Sequence, residues 1–247
     1  MRRASTVRAK RPRIITMTER LALTETGLLA LLQLASPSLP VGAYSYSQGL
    51  EAALADGLPA DARAIAGWIR DHLELVVARN EAPVLARLRR AWVADDRQAV
   101  ARWNEFFLAS RESAELRAET LQMGHSAARL LAQLGAADDA RLEFLAGLPP
   151  TFPASFALGA VAWNVPERPM LLGYLWAWAE NQVLAALKAA PVGQAAGQAM
   201  LRELAARIPE CAAHASAVAD DDIAGFAPGL AIASCRHETL VNRIFRS

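Results

Sequence analysis

Four histidines and two cysteines are the side chains of this 247-residue sequence best suited to acid–base, nucleophilic or metal chemistry. His72, His125 and His214 lie far apart along the chain, and each fits a surface or structural histidine better than a zinc ligand, since zinc ligands are closely spaced. Cys235 and His237 are two residues apart and form the better metal candidate. Two ligands do not complete a metal site, so packing or interface use is the favoured interpretation.

Serine and carboxylate patterns give no catalytic constellation. Ser45 and Ser47 lack the flanking glycines of a nucleophile elbow, although a helical serine enzyme remains the alternative from another functional class. No glycine-rich loop leads into a Lys-Ser or Lys-Thr pair, so the chain is not expected to hydrolyse nucleotides itself. Acidic runs such as Asp220–Asp222 follow helix breaks, where capping and solvation explain them. We therefore expect a non-enzymatic protein that holds no cofactor and no metal of its own.

The composition predicts the fold class. Ala and Leu make up over a third of the chain, and 53% of the residues are hydrophobic. Both residue types are strong helix formers, while β-branched residues are scarce, so the sequence predicts an all-α protein with a full core. Two cysteines cannot form a disulfide framework, and the cytoplasm is the expected compartment.

Charge is unevenly distributed along the chain. Residues 1–20 carry seven basic side chains and one acidic one, whereas residues 21–247 carry 19 basic and 24 acidic side chains. The basic stretch is typical of a solvated, disordered leader or of a start codon assigned too early, with Met17 as a second candidate start. A functional arm is the third interpretation. The acidic body disfavours a nucleic-acid partner. Leu171–Ala190 is long enough to cross a membrane, but its internal polar residues favour a buried helix. Its residues Leu171, Tyr174, Leu175 and Trp178 are expected to lie in the core.

Hydrophobic periodicity and Gly or Pro breaks predict the organisation of the helices. We expect a single globular bundle of about ten helices over residues 21–233. One helix is predicted from Tyr44 to Asp56, and Pro209 is expected to end one helix and separate it from the next. Residues 234–247 are expected to form a C-terminal partner-binding tail.

Two segments carry more polar and aromatic groups than a core requires. Ser36–Glu51 (SPSLPVGAYSYSQGLE) joins a proline-rich turn to a helix start that bears Ser and Tyr hydroxyls, although a rigid turn between two helices would also explain it. Ala233–Ser247 (ASCRHETLVNRIFRS) mixes charged and apolar side chains, which is typical of a terminus that gains order on a partner.

Three blocks of the sequence resemble the UreF family of urease accessory proteins. In the family's order they are Leu31–Ala53 (LLQLASPSLPVGAYSYSQGLEAA), Asn181–Gln198 (NQVLAALKAAPVGQAAGQ) and Ala233–Ser247, which together cover about a quarter of the chain. Cys235 is a departure, because the family often has another apolar residue there. The leader before Met17 lies outside the resemblance.

The resemblance implies an all-α nickel-insertion chaperone in the cytoplasm. Such a protein bridges the UreD/UreH accessory protein and the UreG GTPase on the urease apoprotein, modulates GTP-dependent nickel delivery and forms a homodimer within the complex. The alternative is direct activation of UreG by an arginine finger, Arg236 or Arg243.

The three blocks supply the expected partner-binding residues. We expect the C-terminal block to dock on UreD/UreH, and the other two blocks to serve either helix packing alone or a surface that faces UreG or a second copy. The residues are Tyr44, Ser45, Ser47, Glu51, Gln182, Lys188, Gln194, Gln198, Arg236, His237, Glu238, Arg243, Phe245 and Arg246.

Overall fold

The structure is a computed structural model that describes residues 22–247. All regular elements in that range are helical, which confirms the predicted all-α fold. The basic leader of residues 1–20 lies outside the described residues. The α-helices are α1 (Glu25–Leu34), α2 (Leu50–Ala55), α3 (Ala62–His72), α4 (Ala82–Ala94), α5 (Arg97–Ala109), α6 (Ala114–Gln133), α7 (Asp139–Ala146), α8 (Phe152–Ala162), α9 (Glu167–Ala189), α10 (Gln194–Ala217) and α11 (Pro228–His237).

A π-helical stretch, π1 (Leu73–Glu81), joins α3 to α4 without a break and makes one long rod of the three. With this rod counted once, residues 22–247 contain ten helices, as predicted. The carboxylate of Asp61 caps the rod by accepting the N–H groups of Arg63 and Ala64. Asp95, in the left-handed region with φ of 54°, ends it. The cap at Asp61 and the left-handed residue Asp95 therefore determine where the rod begins and ends.

The core lies where α4 and α6 pack on α8, and α9 packs on α10. Its largest fully buried side chains include Trp92, Phe107 and Phe156. The predicted core positions of α9 (Leu171, Tyr174, Leu175 and Trp178) are all buried, as expected. Over residues 22–247, no helix has the length and apolarity needed to cross a membrane.

The predicted helix break at Pro209 is wrong. Helix α10 continues through this proline from Gln194 to Ala217. Proline removes one backbone hydrogen bond, but Leu204, Ile208 and Cys211 on both sides of it are buried. Burial of these side chains offsets the lost bond, because tertiary packing outweighs local helix propensity.

The predicted single helix from Tyr44 to Asp56 is also wrong. A 3₁₀ turn (Ala43–Ser45) is followed by an irregular stretch, and α2 begins only at Leu50. Gln48 and Gly49 both have positive φ, of 51° and 85°. A Cβ on Gly49 would lie 3.0 Å from the backbone nitrogen of Ser234 in α11. The chain therefore leaves the helical conformation here because α11 approaches this loop closely.

Candidate partner-binding surface

The C-terminal residues 238–247, which we call the strap, lie across the loop that precedes α2. The backbone N–H groups of Ser47 and Gln48 donate to the carbonyl oxygen of Ser247, at 2.6 and 3.1 Å. The Ser47 hydroxyl donates to the same oxygen at 2.7 Å. In the other direction, the N–H of Arg246 donates to the carbonyl oxygen of Ser45 at 2.8 Å. Two segments at opposite ends of the sequence are thus joined through their backbones.

Glu51 in the first turn of α2 holds the middle of the strap. Its two carboxylate oxygens accept the N–H groups of Ile244, at 2.7 Å, and Phe245, at 3.0 Å. Burial alone would raise the pKa of Glu51, but these backbone hydrogen bonds and the one from His237 lower it overall. The carboxylate is therefore an ionised anchor for strap backbone that would otherwise be unpaired.

His237, the last residue of α11, is fully buried between two carboxylates. Its Nε2 lies 3.1 Å from Glu51 on α2, and its Nδ1 lies 2.6 Å from Glu115 on α6. The guanidinium of Arg243, from the strap, donates to the second oxygen of Glu115. This group ties α2, α6, α11 and the strap together at one point.

Glu119, one turn further along α6, holds the end of the strap. It accepts the hydroxyl of Ser247 at 2.8 Å and the amide of Gln48 at 2.7 Å, and Gln48 in turn accepts the indole N–H of Trp178 at 2.9 Å. Burial raises the pKa of Glu119 to about 7, and the nearby carboxylate of Glu81 adds to the rise. A proton-bearing carboxyl group therefore lies beneath the strap near neutral pH.

The second sequence block, Asn181–Gln198, begins on α9 and borders the same region. The amide of Asn181 donates to the carbonyl oxygen of Ala43 at 2.9 Å. The ammonium of Lys188 lies 4.6 Å from the ring centroid of Phe245 in the strap, a cation–π contact. The three blocks, distant in sequence, therefore meet in one region. We call this region the seam. It comprises the loop before α2, the start of α2, the Asn181–Lys188 part of α9 and the strap, with the side chains of His237, Glu115 and Glu119 beneath them.

A cavity of about 70 Å³ lies behind the seam. It is lined mainly by apolar side chains, and its polar members include Gln48, Glu81, Arg111 and Glu119. Nearby His72 is buried edge-on against Trp178, and burial lowers the pKa of its imidazole to about 3, so it is neutral. Across residues 22–247, no three His, Cys, Asp or Glu side chains are grouped closely enough to hold a metal ion.

Comparison with known proteins identifies the family. The UreF family model matches residues 60–205, more than half of the chain. The chain belongs to the UreF family. A urease accessory protein UreF of Azoarcus sp. (strain BH72) is 52% identical over 234 residues, covering 89% of this chain and 95% of the relative. A UreF protein of Dechloromonas aromatica (strain RCB) is 49% identical over 225 residues, covering 89% and 97%. The predicted resemblance is confirmed, and the chain is a urease accessory protein.

Five of the partner-binding residues predicted for this UreF-family chain point inward. Ser47, Glu51, Gln182, His237 and Phe245 are buried, so in this conformation they position the seam and do not reach its surface. Ser45 is half-buried. The exposed members are Tyr44, Lys188, Gln194, Gln198, Arg236, Glu238, Arg243 and Arg246.

Several exposed members also have partners within the chain. Arg236 pairs with Asp56 at 2.7 Å, and Glu238 accepts the N–H of Ala114 at 2.8 Å. Gln194 and Gln198 lie at the start of α10, and no hydrogen bond joins them to the strap or the loop within the part of the chain described. The expected tail boundary between residues 233 and 234 falls inside α11.

Sequence reasoning missed two kinds of residue in this UreF-family seam. The first is the two carboxylates on α6, the half-buried Glu115 and the buried Glu119. Glu119 lies four residues before Met123 and eight before Ala127, in the apolar stripe of α6, and that position was the available signal. The second is exposed apolar side chains near the C-terminus, which are Phe226, Ile232, Val241 and Ile244.

Proposed function

We propose that this UreF-family chain is a cytoplasmic adaptor of urease maturation. It joins the UreD/UreH accessory protein to the UreG GTPase on the urease apoprotein and modulates GTP-dependent nickel delivery. The observation that carries this proposal is the set of exposed apolar side chains on the C-terminal region. Val241 is 92% exposed and Phe226 is 79% exposed, although backbone hydrogen bonds fix the strap.

An apolar surface on a fixed backbone is suited to binding a protein. Exposed apolar groups gain free energy when a partner covers them, and a segment that is already ordered loses little conformational entropy on binding. We propose that Val241, Ile244, Arg243 and Arg246 meet UreD/UreH. Inward-facing Phe245 supports them from below.

The other exposed residues of the seam are candidates for a second interface. Tyr44 is 65% exposed next to the loop, and Lys188 lies on α9 beside the strap. We propose that they face UreG or a second copy of the chain, together with Gln194 and Gln198. The homodimer remains a prediction.

The alternative, an arginine finger supplied to UreG, is better suited to Arg236 than to Arg243. The Arg236 side chain is 63% exposed, whereas Arg243 is held by the half-buried carboxylate of Glu115. An arginine finger increases GTP hydrolysis by orders of magnitude. If UreG hydrolysis rises with the wild-type chain but not with Arg236→Ala, the finger is supported; equal hydrolysis with both supports the adaptor alone.

The adaptor function is tested in cells that lack only this chain. We expect urease with little bound nickel and little activity, restored by the wild-type chain but not by Val241→Asp. Deletion of residues 234–247 is a poorer test, because it also removes the buried His237 and Phe245. Fully nickel-loaded urease in cells without the chain would contradict the proposal.

A further inference from the structure

The buried His237 lies between two carboxylates, and its imidazole has to make a favourable hydrogen bond to each of them. A neutral imidazole carries one N–H, so it can donate to one carboxylate and must turn its lone pair toward the other. The imidazolium donates from both nitrogens. Since Nε2 faces Glu51 at 3.1 Å and Nδ1 faces Glu115 at 2.6 Å, the geometry favours the imidazolium.

The charges around His237 balance only when it is protonated. Glu51 from α2 and Glu115 from α6 supply two negative charges, while Arg243 from the strap supplies one positive charge. The imidazolium supplies the second. Its neighbours on either side, Arg236 and Glu238, are engaged elsewhere, with Asp56 and with the N–H of Ala114. Loss of the proton would leave one buried carboxylate without a cation, which is costly in a low-dielectric site.

We propose that His237, as an imidazolium between Glu51 and Glu115, latches the strap to the body of the protein, and that loss of this proton releases the strap. The effect reaches the strap directly, since Glu51 also accepts the N–H groups of Ile244 and Phe245. Strap release would also loosen the surface that carries Val241. The importance of that surface for partner binding rests on the proposed function, whereas the latch between His237 and the strap does not.

A second titratable group lies beneath the far end of the strap. Glu119 faces Gln48 and Ser247 through hydrogen bonds, with the charges of Glu81 and Arg111 nearby. Because burial raises its pKa to about 7, a rise in pH creates a buried negative charge beneath the strap. The hydrogen bonds from Gln48 and Ser247 favour that charged form, so the titration of Glu119 has to be separated from the latch by experiment.

The test uses the isolated full-length chain in a series of buffers from about pH 5 to about pH 9, a range that includes the ordinary titration of histidine. Nitrogen NMR of the histidine rings reports the charge of His237, and hydrogen exchange reports the strap amides of Ile244, Phe245 and Arg246. We expect an imidazolium while the strap is protected. Protection, corrected for intrinsic exchange, should fall at least about tenfold as the imidazolium signal is lost.

Two variants separate the latch from other titrations. In Glu115→Gln the amide can donate to a neutral ring, so protection should no longer follow the charge of His237. His214→Gln, which changes an exposed histidine of α10, is the matched control and should behave as wild type. A neutral His237 beneath a protected strap would overturn the proposal. So would an unchanged fall in protection in Glu115→Gln, which would assign the pH dependence to Glu119. Neither result depends on a partner protein.

Discussion

The apolar core and the seam beneath the strap are both buried, but different forces hold them. In the core, α6 and α8 meet at Gly124, where a Cβ would lie 2.0 Å from the carbonyl oxygen of Pro150. Close packing sets that contact, and its hydrogen bond, from the Ser155 hydroxyl to the carbonyl oxygen of Gly124, joins two neutral groups. In the seam, Glu51, Glu119 and His237 bind backbone and side-chain groups through hydrogen bonds and charge. The contact at Gly124 should therefore be insensitive to pH, whereas the seam can be loosened by changing protonation.

The largest expected effect lies in the core. Gly124→Ala forces a methyl group into the backbone of the α7–α8 connection, so we expect the free energy of unfolding to fall by more than about 3 kcal/mol. Gly67→Ala is the matched control, because the nearest atom to its Cβ is the flexible end of Arg70 at 3.8 Å. It should stabilise α3 by about 0.5–1 kcal/mol. Denaturant unfolding checks both, and equal stability of the two variants would contradict the close approach at Gly124.

The pH dependence of stability between about pH 4.5 and about pH 7 should include a contribution from beneath the strap. Burial raises the pKa of Glu119 from its ordinary value of 4.5 to about 7 in the folded state, so between these pH values the folded state holds a proton that the unfolded state has released. Stability therefore falls as pH rises through this window, by about 3 kcal/mol in total. Glu119→Gln cannot titrate and should lack this fall. Parallel pH profiles of the two proteins in denaturant unfolding would contradict the assignment.

A smaller effect is expected from the strap anchor. Glu51→Ala removes the acceptor of the Ile244 and Phe245 N–H groups, and we expect a loss of about 2 kcal/mol together with faster proteolysis of the strap. Glu203→Ala is the control, since its ion pair with Arg70 is long, at 3.6 Å, and half-exposed. Cleavage sites mapped by mass spectrometry report the strap. Equal cleavage in the two variants would mean that Glu51 does not anchor it.

The smallest effect on stability is expected at Arg236. Its ion pair with Asp56 lies on the surface, so Arg236→Ala should leave the thermal midpoint unchanged. Any consequence of this substitution should appear only when partners are present. A clear loss of thermal stability would mean that Arg236 helps to hold the seam together. It would then contradict the assignment of Arg236 to the exposed residues that are available to partners.

The amino-acid pattern was sufficient to predict the helices and much of the core. Apolar spacing located the buried face of α9 at Leu171, Tyr174, Leu175 and Trp178, because amphipathic periodicity depends only on local sequence. Pro209 shows the limit of local rules, since the buried side chains around it keep α10 continuous. The loop before α2 shows the same limit, since the approach of α11 interrupts the helix that its sequence predicts.

The seam could be foreseen only in part. The family resemblance marked its three blocks, but nothing in their spacing indicated that they meet. Their contacts join Ser47 to Ser247 and Glu51 to His237, across almost the whole chain. Which of the marked residues point inward depends on those long-range contacts, so the sequence predicts a partner-binding role for His237 and Phe245 although both are buried.

The most direct test of the division between inward and outward residues is the affinity of UreD/UreH for Val241→Asp. Val241 is 92% exposed, so the substitution should leave the free energy of unfolding unchanged. We expect binding at least about tenfold weaker, which is about 1.4 kcal/mol. Val93→Asp, at an exposed apolar residue of α4 outside the seam, is the control and should bind as wild type. Wild-type affinity of Val241→Asp for UreD/UreH would contradict the proposal that the strap presents the partner-binding surface.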